Sequence, residues 1–121
     1  MRRFFVILAV VTCVLSVDTP ALAQGNETVM TAQRASSLSG IVVDPTGAAI
    51  AGVAVAECSA GFNDCVTVKH TDKDGRFNVR SARKSKVHYL QFLSPGMNQE
   101  RVTVSITGLS KMLKIVLVVG T

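Results

Sequence analysis

His70 and His88, with Glu57 and Glu100, are the side chains in this chain best suited to moving a proton or holding a metal. A protein-built catalytic zinc site takes three such ligands, and a hydrolytic triad needs a nucleophile within reach of a histidine. The spacing supplies neither, because Glu57 and Glu100 have no recognisable acid–base partner and only two histidines exist. Ser94-Pro95-Gly96 reads as a turn, unlike the Gly-x-Ser-x-Gly elbow that exposes a nucleophilic serine. Asp72 and Asp74 alternate before Gly75 in the manner of a calcium loop, but Ser81 stands where an EF-hand carries its closing glutamate. Each histidine is read as a surface or rim residue. No catalytic residue, metal or cofactor is expected.

Arg76, Arg80, Arg83, Lys84 and Lys86 are the strongest remaining functional hint. If they converge, they form a patch for an anionic partner, bound by counterion release. Single-strand nucleic-acid binding needs interleaved aromatics, which this run lacks, so nucleic acid is not an expected partner. The plainer reading is a solvated loop that discourages edge-to-edge strand pairing.

The first residues have the layout of an export signal: Arg2 and Arg3, the apolar run "FFVILAVVTCVLSV", and "ALA" before Gln24. Residues 1–23 are read as a signal peptide cut after Ala23. The apolar run is short of the roughly 20 residues that a permanent span needs, so no membrane span is expected after cleavage. A secreted or periplasmic location follows. What remains is 98 residues, one domain by size, with a net charge of about +4. Cys58 and Cys65 are its only cysteines, and in an oxidising compartment a disulfide is the natural reading. Metal binding is the alternative, but two cysteines without a paired histidine make half a zinc site.

Residues 24–37, "QGNETVMTAQRASS", are polar and lack sustained periodicity, so they read as a flexible leader. Beyond them seven strands are predicted near 39–44, 53–58, 65–71, 76–80, 87–93, 101–107 and 112–119, separated by turns rich in Gly, Asp, Ser and Pro. Alternation places Val66, Val68, Phe77, Val79, Val102, Val104 and Ile106 inward, with Leu113, Ile115, Leu117 and Val119 sharing one face. "GIVV" is apolar on both faces, so Ile41 and Val43 are either covered by the protein itself or form a docking surface. Phe62, in the loop between the cysteines, is the exposed aromatic candidate.

The segments "LSGIVVDPTGAAIAGVAVAEC", "VTVKHTDKDGRFNV" and "HYLQFLSPGM" follow one another with the spacing of a known module. Gly40, Val42, Asp44, Gly47, Gly52 and Val55 match its first part, Thr71, Asp72, Gly75 and Phe77 its second, and Leu90, Phe92 and Gly96 its third. Over about two-thirds of its length the chain resembles the carboxypeptidase regulatory-like domain, a relative of the transthyretin or prealbumin-like sandwich. The resemblance implies an all-β, seven-stranded Greek-key-like sandwich over residues 38–121, with Asp44, Gly47, Asp72, Gly75 and Gly96 shaping its turns. It also implies an accessory role. Hydrolases of the transthyretin-like family end in Tyr-Arg-Gly-Ser, whereas this chain ends "VLVVGT"; intradiol dioxygenases on a related sandwich use two tyrosines, whereas Tyr89 is the only one here. The expected function is non-catalytic association with a protein or cell-envelope component. Carbohydrate binding is the alternative, and a small hydrolase the third reading.

Overall fold

The computed structural model describes residues 27–108 and 111–120, so the expected signal peptide lies outside the described residues. The described residues form eight strands: β1 (Thr28–Ala35), β2 (Ser39–Val43), β3 (Ala54–Cys58), β4 (Cys65–His70), β5 (Arg76–Asn78), β6 (Val87–Leu93), β7 (Gln99–Ile106) and β8 (Leu113–Val116). They form two mixed sheets, one of five strands in the order β1-β7-β6-β3-β4 and one of three in the order β5-β2-β8. The fold is all-β. A single 3-10 turn, Ala60–Phe62, is the only helical element among the described residues.

The core lies between the sheets. Val55, Leu90, Phe92, Val102 and Val104 from the larger sheet meet Val42, Phe77, Leu113 and Ile115 from the smaller, all buried. Phe77 and Phe92 touch edge to face with ring centroids 5.2 Å apart, which joins edge strand β5 of the smaller sheet to the central strand β6 of the larger. Gly40 sets the approach of β2 to β8, since a Cβ there would lie 2.0 Å from the carbonyl oxygen of Leu113. Gly75, at φ 74°, docks the following turn on β2: its carbonyl accepts from Val42 N at 2.8 Å, and a Cβ would stand 2.6 Å from Val42 O. Buried Thr71 completes this junction, donating to Ile50 O and accepting from Val53 N.

Residues expected to be a flexible leader instead form β1, which pairs in parallel with β7 along its whole length, from Thr28 opposite Gln99 to Ala35 opposite Ile106. Its sequence hides the strand because only Ala35 is buried; backbone pairing holds it, with little apolar burial. The Gln33 amide adds a tie across the sheets, donating to Lys114 O at 2.9 Å and accepting from Lys114 N at 3.2 Å. Among the described residues the strands number eight, one more than the seven predicted beyond the leader.

Phe77, Val79, Val102, Val104, Leu113, Ile115 and Leu117 are buried as alternation predicts. Val66 and Val68 are not buried but 66% and 45% exposed, because the three-stranded sheet does not extend beneath β4. Val119 is likewise exposed, lying beyond the end of β8 in an isolated bridge to Met97. The apolar character of "GIVV" has the first of its two explanations: β2 is the central strand of its sheet, and both Val42 and Val43 are buried.

Candidate functional site

Cys58 and Cys65 sit directly opposite one another on β3 and β4 and are joined by a disulfide. The bridge closes the hairpin loop and positions its contents. Ser59 Oγ accepts from Asp64 N, and Phe62 turns back onto the outer face of the larger sheet. There its ring meets Tyr89 edge-on at 5.3 Å, and the Arg101 guanidinium lies 5.4 Å above it. Phe62 is therefore buried, which corrects the expectation of an exposed aromatic in a docking or sugar-binding surface. Val43 is corrected in the same way, since the turn after it folds back to form a bridge at Ala49 while Leu117 N bonds its carbonyl. Ile41 is half-buried, so the three residues do not make a surface.

The turn residues have specific tasks. Asp44 Oδ1 accepts from Thr46 N, Thr46 Oγ1 and Ala48 N, and these bonds, led by the Thr46 hydroxyl, hold its carboxyl below the usual 3.8. Asp72 Oδ1 accepts from Arg76 N and Asp74 N, with the same effect on its carboxyl. Gly47 N and Gly75 N close onto the carbonyls of Asp44 and Asp72. Gly96 lies in the turn closed from Met97 N to Ser94 O.

All five residues of the basic run are exposed, but they do not share one groove. Arg76 lines a depression with Asp72, Gly40 and Met112 beside the smaller sheet. Arg83 lines a different groove, of about 410 Å³, with Glu57, Asp64, Val66 and Val68. Val66 and Val68 form its apolar wall. This groove exists because β4 is the outermost strand of the larger sheet and nothing in the smaller sheet covers its inner face.

Behind the groove lies a cluster that spacing did not reveal. His88, expected at the rim, is buried, and its Nδ1 stands 3.4 Å from Glu57 Oε2. The same oxygen accepts a short hydrogen bond from Ser81 Oγ, which also accepts from Arg83 N. Strand parity could have located this cluster, since Glu57 follows Val53 and Val55 inward and His88 precedes Leu90 and Phe92 on the inner face. The serine hydroxyl engages the carboxylate and not the imidazole, so the order of contacts differs from that of a histidine-activated nucleophile. It fastens the loop carrying Arg83 to the sheet.

His70 shares a depression of about 470 Å³ with Ser94, Leu93 and Met97, but no hydrogen bond joins His70 to Ser94. Glu100 also escaped assignment by spacing. It lies inward on β7, two residues before Val102, and is buried beside Thr31. No helix among the described residues is long and apolar enough to cross a membrane. Neither a protein-family model nor any curated protein matches the chain.

Proposed function

We propose that this protein is an exported, non-catalytic β-sandwich module of carboxypeptidase regulatory-like type that associates with a protein of the cell envelope through the free edge of β4. One observation carries the reading: among the described residues β4 has a single strand neighbour, β3, yet it presents Val66 and Val68 in an open groove rimmed by Arg83, Glu57 and Asp64. An outermost strand offers unpaired backbone donors and acceptors, and an extended partner segment satisfies them while its alternate side chains cover the valines. The register shift between Val55 and Ala56 and the charge of Lys69 make this edge irregular, which opposes indiscriminate pairing and favours a short, matched segment. The non-catalytic part is supported by the contacts of Ser81 and His88, both of which terminate on Glu57.

Parallel capture from envelope extracts with the native protein and with the Val66→Asp/Val68→Asp variant tests this reading. The expected result is a partner retained by the native protein and lost from the variant. Equal recovery on both, or none above background on either, contradicts it. Sequencing of the exported material should begin at Gln24.

A further inference from the structure

At the edge of the larger sheet opposite β4, β1 and β7 overhang the free side of β8 and enclose a groove of about 330 Å³. Glu100 is the only acid lining it. The residue is 7% exposed, and its carboxylate accepts one hydrogen bond, from Thr31 Oγ1 at 2.9 Å. No basic side chain among the described residues forms an ion pair with it. A carboxylate has about four acceptor positions, and a buried one without a cation is costly unless it takes up a proton. Burial accordingly raises the Glu100 carboxyl above its ordinary 4.5.

Two of the other polar side chains are already engaged, and the Lys114 ammonium lines the groove without pairing to Glu100. The Gln33 amide is occupied by the backbone of Lys114, and Asn98 Oδ1 accepts from Glu27 N. What the groove leaves open is one under-coordinated carboxylate next to apolar walls, with Val116 and Val118 still 39% and 47% exposed. We propose that this groove binds a primary alkylammonium group, with the –NH3+ on Glu100 and the alkyl chain against Val116 and Val118. The three donors of an ammonium match the open acceptor positions, and the volume is at the lower end of that of small-ligand sites. A free aliphatic amine and a lysine side chain present the same chemistry. The site is separate from the β4 edge, so either can fail without the other.

Two-dimensional NMR titration of the isotopically labelled protein with n-butylammonium and with Nα-acetyl-lysine N-methylamide tests it, with n-butanol as the uncharged control. The expected result is saturable shifts confined to Thr31, Glu100, Val116 and Val118, absent with n-butanol and weakened at least tenfold in Glu100→Gln. Saturation by both probes assigns lysine side chains as well as free amines, whereas saturation by n-butylammonium alone assigns free amines; both support the site. Lys114→Met, which removes a neighbouring competing ammonium, should bind as well or more tightly. Shifts that are absent, dispersed over the surface, or unchanged in Glu100→Gln overturn the proposal, as does loss of binding in Lys114→Met.

Discussion

Gly40 leaves no room for a methyl group, because the obstacle is the backbone carbonyl of Leu113 on the adjoining strand and not a movable side chain. Gly40→Ala must separate β2 from β8 and should cost about 3 kcal/mol, read as a lower urea midpoint at unchanged slope. The carboxylates make opposed predictions about pH. Asp44 and Asp72 are held low by hydrogen bonds, so their contribution to stability is present above 3.8 and lost as pH falls through their folded values. Glu100 is raised by burial, so its contribution is full below 4.5 and is lost as pH rises through its folded value. Glu100→Gln should therefore stabilise the protein near neutral pH and flatten the decline above 4.5, as measured by thermal melts across pH. Asp44→Asn should instead soften the acid limb. The turn aspartates were legible in the sequence because their partners are local, within four residues. Glu57, His88 and Glu100 were not read by spacing, because their partners Ser81, Glu57 and Thr31 lie 24, 31 and 69 residues away.

The disulfide and the first strand carry the predictions at the level of elements. Cys58 and Cys65 enclose so short a loop that replacing both with serine should cost roughly 2.5 kcal/mol on the chain-entropy model. The loss should appear as a lower denaturation midpoint, together with increased exposure of Phe62, whose seat the bridge fixes. Gln33→Ala removes the amide tie between β1 and β8 and should cost about 1 kcal/mol, with faster amide exchange at Lys114. Strands with apolar alternation, such as the one bearing Val102 and Val104, were readable because burial shaped their composition. β1 was not, because a polar segment can be held at a sheet edge by its backbone ladder. Val66 and Val68 misled for the converse reason: their alternation is that of a buried face, but whether a face is buried depends on how far the opposite sheet reaches.

Unequal sheet widths organise the whole molecule. Five strands lie over three, so the larger sheet overhangs on both sides and leaves one groove beside β4 and another between β1 and β8. The first is walled by Val66 and Val68, the second by Val116 and Val118 around Glu100. That difference is the basis for proposing strand addition on one side and ammonium binding on the other. A photo-crosslinking residue placed at position 66 in the protein expressed in its own cells, with a control placed at Met30 on the opposite edge strand, tests the proposed association most directly. A discrete protein adduct is expected from position 66 and none from position 30. Adducts absent at position 66, or equal at both positions, would contradict it.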